Sequence, residues 1–268
     1  MRAIDVSDYD GAVTWPRVQA AGVGAAIIRA GYGTSFVDPW YERHVSGAQA
    51  AGLRIGAYLY SYALTIDEAR QEANHMLSII NGRQFDMPLW LDMEDADGYK
   101  AEHGFAFTKE NISAITQAFI DAIRVAGYQC GVYASRNWLE DYIDVHADAI
   151  WLAEWGEAPT YQGAFDIWQN SSEGIVPGVT GTVDTNIIYT AFWEMEEPMK
   201  VYKHTTEMPE WARDTFVRLV EAGIVAVNAA GEIGVNESSL QPMVYLDRLC
   251  NGKIELLKHV VAPLADTE

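Results

Sequence analysis

Positive charge is scarce in this sequence: 18 Lys and Arg stand against 38 Asp and Glu in 268 residues, a formal net charge of −20. Phosphate backbones and anionic lipid surfaces are bound through Lys and Arg, so nucleic acid and anionic membrane are poor partners for it. Cysteine is nearly absent. Cys130 and Cys250 lie far apart and make neither a metal pattern nor a disulfide framework. The six histidines show no ligand spacing such as His-Glu-x-x-His, and no Gly-x-Ser-x-Gly elbow exists, so neither a metal hydrolase nor a Ser-His-Asp triad has its signature. No metal or cofactor is expected. Long apolar runs are missing too: nothing approaches the roughly 18 residues of a membrane span, and Met1–Ser7 holds no run of signal-peptide length. The chain is therefore expected to be made and kept in the cytoplasm, without membrane insertion. What remains, 49% hydrophobic and 21% charged, is the composition of a globular protein and excludes a disordered one.

Short β-branched apolar segments alternate with longer amphipathic ones. The spacing predicts strands at Ala3–Val6, Ala25–Arg29, Ile55–Tyr60, Pro88–Met93, Gln129–Tyr133, Ile150–Ala153, Asp166–Gln169 and Val183–Asp184. Helices are predicted at Thr14–Ala21, Trp40–Gly52, Ile66–Ile80 and Lys109–Ala126, with Thr108 as an N-cap and Gly22, Gly52 and Gly127 as stops. This pattern implies an α/β protein with a (β/α) TIM-like barrel. The barrel should be irregular after about residue 150, where strands crowd together with little helix between them. A doubly wound sheet is the alternative, but no Gly-rich phosphate turn follows the first strand. Near residue 191 the pattern changes. Residues 1–191 are expected to form the barrel, 192–200 a linker, and 201–268 a small, mainly helical domain with helices at Glu207–Ala222 and Asn236–Leu249. So short a tail buries only a thin core by itself.

The sharpest chemical feature is Leu89-Trp90-Leu91-Asp92-Met93-Glu94-Asp95, an apolar strand that ends in carboxylates. Residues i and i+2 of a strand share a face, so Asp92 and Glu94 project together at its C-terminal end, where barrel enzymes place their active sites. Two such neighbours repel, which lets one keep its proton near neutral pH and act as a general acid. Asp95 and Asp97 read as solvated turn residues. A calcium loop fails, because its first and twelfth places would be Met93 and Gly104. Asp5 and Asp184 also sit within apolar strands, where a carboxylate is costly unless paired or functional. Together the four would form a ring of acids at one mouth, a pattern suited to glycoside hydrolysis.

Seven ordered motifs across residues 1–190 resemble glycoside hydrolase family 25, the Chalaropsis-type lysozymes that include many phage endolysins. They are Ile4-Asp5-Val6-Ser7 with Gly11 and Trp15; Ile28-Arg29-Ala30-Gly31-Tyr32-Gly33; Gly56-Ala57-Tyr58-Leu59-Tyr60-Ser61-Tyr62; Leu91-Asp92-Met93-Glu94; Trp151-Leu152-Ala153-Glu154-Trp155; Ile167-Trp168-Gln169; and Val183-Asp184-Thr185-Asn186. One departure is Asp10, where the family usually has Gln.

The resemblance implies cleavage of the β-1,4 bond from N-acetylmuramic acid to N-acetylglucosamine in Gram-positive peptidoglycan. Glu94 would be the proton donor, Asp92 would steady the substrate's acetamido group as internal nucleophile, with a covalent enzyme intermediate as the alternative, and Asp5 and Asp184 would orient the sugar. Arg29, Tyr32, Tyr60, Tyr62, Tyr133 and Trp155 become expected substrate contacts; plain core packing is the alternative for each aromatic. A phage enzyme without a signal peptide would wait in the host cytoplasm for a holin-type pore and then act on the wall. The tail would bind wall or form a homo-oligomer through residues 201–268. If Glu196 and Glu197 use GAG codons, a ribosome-binding sequence precedes Met199, and a separately translated tail is expected. Rival readings are a bacterial wall-remodelling lysozyme and a non-catalytic wall-binding protein on the same barrel.

Overall fold

The computed structural model describes residues 1–194, 201–228, 231–236, 239–249 and 252–253. The chain divides into two compact units, Met1–Met195 and Glu196–Glu268. The described residues of the first unit form strands β1 (Arg2–Val6), β2 (Ala25–Tyr32), β3 (Phe36–Val37), β4 (Arg54–Tyr60), β5 (Leu89–Asp92), β6 (Cys130–Ser135), β7 (Ala149–Ala153), β8 (Ile167–Gly174) and β9 (Val183–Ile188). Its helices are α1 (Trp15–Ala20), α2 (Tyr41–Ala50), α3 (Ile66–Ile80), α4 (Tyr99–Glu102), α5 (Lys109–Val125) and α6 (Arg136–Asp141). The eight predicted strands are all present, and α3 spans the predicted residues. Its start is fixed by reciprocal hydrogen bonds: Glu68 N donates to Thr65 Oγ1 (3.2 Å) and Thr65 N to Glu68 Oε2 (3.1 Å). Thr108 caps α5 by a single bond, accepting from Asn111 N at 3.2 Å.

Eight strands close into a barrel in the order β1-β2-β4-β5-β6-β7-β8-β9, and the small β3 pairs with the end of β2. Neighbours are parallel from β1 through β8, whereas β9 runs antiparallel to both β8 and β1. This is the irregularity expected of the last part, and its cause is chain length. A parallel partner needs a crossover of a dozen or more residues, usually a helix, and the short β8–β9 connection permits only a reversal.

Alternation along the strands separates two cores. Outward residues such as Ile4, Ile28, Leu59, Leu91 and Val132 pack against Met76, Ile115 and Phe119 of the helical layer. Inward residues Ala3, Ala25, Ile27, Trp90, Tyr133, Trp151, Ile167 and Ile188 fill the barrel with Met87 and Phe192. Phe192 packs edge-on to Trp90, with ring centroids 6.0 Å apart. The stretch 192–194, read in sequence as the start of a linker, is thus a 3-10 turn that closes over the barrel core. Residues 195–200, including Met199, lie outside the described residues.

Trp90 reaches the barrel axis because β6 offers it a glycine. A Cβ on Gly131 would stand 2.3 Å from the Trp90 ring. Gly131→Ala is therefore expected to destabilise the fold by about 1–3 kcal/mol through overpacking. A circular-dichroism melt showing an unchanged midpoint would count against this account of the core.

The second unit contains α7 (Glu210–Glu221) and α8 (Leu240–Leu249), with β10 (Val201–Tyr202) paired antiparallel to β11 (Val235–Asn236). Among its described residues Tyr202, Met208, Ala212, Phe216, Leu219, Leu240 and Val244 form a small buried cluster, with Asp247 accepting from Thr215 Oγ1 at 3.0 Å and paired with Arg218. Trp211 of α7 is 48% exposed, because the inward face of the helix is Ala212, Thr215, Phe216 and Leu219.

Candidate active site

Inward parity at the C-terminal ends of the parallel strands brings Asp5, Arg29, Tyr60, Asp92, Tyr133 and Gln169 to one mouth, with Glu94 two residues beyond Asp92. Since β9 runs the opposite way, its first residues meet that mouth, which is why Asp184 arrives there from a strand start. Asp5 and Asp184 are direct partners in the β1–β9 register. These groups line a cleft of about 220 Å³, together with Ser7, Tyr9, Tyr58 and Trp151. All four acids singled out in the sequence thus meet in one place.

Asp5 is buried and accepts hydrogen bonds from Asn186 Nδ2 (2.7 Å) and Gln169 Nε2 (3.1 Å). Burial, reinforced by the Asp184 charge, holds its carboxyl well above the usual range, and burial pushes Asp184 up to about 6. Asp92 is raised by burial and then by Glu94, while Glu94 is pushed up to about 7 by burial, Lys100 opposing and Asp184 adding to the rise. Both carboxyls are thus shifted toward the protonated form, which favours a neutral acid at this mouth. Asp92 Oδ1 is buried and has no hydrogen-bond partner among the described residues. Such a site can deliver a proton to a leaving oxygen while offering an acceptor to a ligand N–H.

The expected contact residues divide. Tyr60 and Tyr133 line the cleft, Tyr133 donating to Gln169 Oε1 at 3.0 Å. Arg29 lines it too, but its guanidinium is held by Asp8 and by Asp38 (2.9 Å). Tyr32 and Tyr62 line a second cleft of about 300 Å³, with Phe36, Tyr99, Glu68 and Glu72. The Tyr60 and Tyr62 rings lie 5.2 Å apart and both hydroxyls donate to Asp97, so an aromatic surface links the two clefts. Trp155 lines neither. It is 64% exposed at the rim and donates Nε1–H to Gln169 Oε1 at 3.1 Å.

Three residues were given no site role by the sequence reading. Gln169 and Asn186 hold Asp5, and both share the face of a noted neighbour: Asn186 lies two residues from Asp184, Gln169 two from inward Ile167. The period of two could have revealed them. Lys100 is fully buried beside Glu94, and nothing local marks it. Asp95 and Asp97 are also more than solvated turn residues: Asp95 accepts from the N–H groups of Lys100 (2.6 Å) and Ala101 (3.1 Å), and Asp97 receives the two tyrosine hydroxyls.

Residues 4–179 match the family described as Glycosyl hydrolases family 25, so Asp184 lies just beyond the match. The autolytic lysozyme of Clostridium acetobutylicum is 29% identical over 187 residues, 69% of this chain and 54% of that protein. Lysozyme M1 of Streptomyces globisporus is 27% identical over 204 residues, 69% of this chain and 67% of that one. The chain thus matches only about half the length of the Clostridium relative. A family 25 glycosyl hydrolase from Bacillus anthracis shares the fold at a TM-score of 0.62 and 20% identity, covering 71% of this chain and 89% of that chain. The CTP1L endolysin, whose activity is regulated by a secondary translation product, shares it at 0.62 and 21%, covering 93% and 99%. With the family match running from β1 past β8, this chain belongs to glycosyl hydrolase family 25.

Proposed function

We propose that the chain is an endolysin-type muramidase that cleaves the β-1,4 bond between N-acetylmuramic acid and N-acetylglucosamine in Gram-positive peptidoglycan. The observation that carries this reading is buried Asp92 beside half-buried Glu94 at the open cleft, with one Asp92 oxygen unpartnered among the described residues. Glu94 gives its proton to the glycosidic oxygen as the bond to C1 breaks. The acetamido carbonyl oxygen of the same sugar bonds to C1, and ionised Asp92 accepts the acetamido N–H and offsets the positive charge that develops there. Water, giving a proton to Glu94, then attacks C1 as the bond from C1 to the acetamido oxygen breaks, which restores the N-acetyl group and the protonated acid. Asp5 and Asp184 orient the sugar, Arg29, Tyr60 and Tyr133 form its walls, Tyr32 and Tyr62 serve a sugar further along the strand, and Trp155 forms the rim.

Such an enzyme would wait in the host cytoplasm until lysis and then work on the wall. The small core of the second unit supports self-association through residues 201–268, and the CTP1L likeness supports a separately translated tail starting at Met199. Purified Gram-positive walls incubated with the full chain should release new reducing ends carried by muramic acid, identified by mass spectrometry. Release of amino groups instead, or of nothing, defeats the reading. Light scattering of the same preparation reports assembly, and one full-length species unchanged by Met199→Ala would remove the second start. The autolytic lysozyme of Clostridium supports a second reading, wall remodelling by the bacterium itself; a holin gene beside this one would favour the phage role.

A further inference from the structure

Lys100 lies on α4, whose first turn is held by the Asp95 carboxylate. Its side chain is 0% exposed. The ammonium donates to the main-chain carbonyl of Ser61, just past β4, and to that of Glu94 at 3.1 Å, and it lies 5.9 Å from the Tyr60 ring centroid. Among the described residues no carboxylate pairs with it directly. Those that face it are Glu72 from α3, Asp92 from β5, and Glu94, Asp95 and Asp97 from the loop that follows. Glu72 is itself buried, bonded to Ser61 Oγ (2.8 Å) and Tyr62 N (2.7 Å), and pushed up to about 7 by burial.

An unpaired buried ammonium is an expensive way to join two loops, because an apolar side chain of similar length would fill the space without desolvating a charge. What the lysine adds is charge at a chosen point, one main-chain bond away from the acid. We propose that Lys100 is a positioning residue for the proton donor: it ties the Glu94 main chain to the end of β4 and places a positive charge behind the Asp92–Glu94 pair. The carbonyl contact holds the backbone from which the Glu94 side chain projects. The charge counters the repulsion between buried Asp92 and half-buried Glu94, so that the pair carries one negative charge rather than none. This inference rests on the assignment of Glu94 as the acid.

The test is the pH profile of wall hydrolysis by the full chain. Lys100→Met should lower kcat, leave KM nearly unchanged because Lys100 touches no substrate, and move the alkaline limb upward by about one unit, since loss of the cation favours the protonated carboxyl. Lys100→Arg, which keeps the charge, should hold the limb in place. If Lys100→Met does not fold, Glu72→Gln answers the same question. Its Oε1 still accepts from Tyr62 N while its amide N–H can donate to Ser61 Oγ, the change removes a charge that offsets Lys100, and it should move the limb down. A reduced kcat with an unmoved limb in Lys100→Met, or an unmoved limb in Glu72→Gln, overturns the inference. Carbon-13 titration of the Glu94 carboxyl in the same variants reads the shift without activity. If Glu94→Gln proves active, the acid assignment fails, and the titration still judges Lys100.

Discussion

Glu94→Gln is expected to reduce wall hydrolysis by about 10²–10⁴-fold, the usual contribution of a positioned general acid, and at the same time to raise thermal stability above pH 7. The two effects share a cause. Burial lifts the Glu94 carboxyl from its ordinary value near 4.5 to about 7, so the folded chain binds a proton there that the unfolded chain has released. Stability from this group is full below about 4.5 and is lost as pH rises toward 7, because proton binding by the folded state alone favours folding only while that proton stays on. Glutamine stays neutral throughout and escapes that loss. The variant should melt above the parent at pH 8, and the gap should narrow at pH 4, where both side chains are uncharged. Parent activity should decline above about pH 7, as Glu94 gives up its proton. A constant gap in melting temperature across that range, or retained hydrolysis, would remove Glu94 from the role of acid.

The second large effect is expected at Asp92. Its Oδ1 is buried without a partner among the described residues, an arrangement that disfavours the free protein and is relieved when a ligand N–H reaches it. Asp92→Asn keeps the shape and removes the charge, so the positive charge that develops when the acetamido oxygen closes on C1 loses its counter-ion. A fall of about 10²–10³ in kcat is expected, with KM changing far less, since the interaction grows as charge develops. Walls stripped of their N-acetyl groups should be poor substrates for the parent enzyme, as they lack the internal nucleophile. A sugar found covalently attached to Asp92 by mass spectrometry would instead assign the nucleophile to the protein.

Much of the site was legible because it lies on strands. Asp92 could be placed from a period of two, Glu94 reaches the same cleft although β5 ends at Asp92, and Asp5 and Asp184 stood out as acids in apolar surroundings. The tyrosines were harder. Tyr60 and Tyr62 differ by two residues and share a motif, yet one lines the first cleft and the other the second, because β4 ends at Tyr60 and the chain then turns toward α3. Trp155 follows β7 and lies on the rim for the same reason. Periodicity stops giving directions once a strand ends.

By itself the sequence determined the alternation of strand and helix, the acids at strand ends, and the change of character near residue 191. These are properties of neighbours in the chain, governed by local periodicity and by the penalty for placing charge in apolar segments. Tertiary structure decided what depends on closure of the barrel: the reversal of β9 that sets Asp184 opposite Asp5, the Gln169 and Asn186 bonds that hold Asp5, the capture of Arg29 by Asp8 and Asp38, and the burial of Lys100 behind Glu94. Each joins residues from different elements, and a contact between them exists only after the sheet has closed and water has left. The same closure turns a surplus of acid in the sequence into a few buried carboxyls that hold their protons near neutral pH.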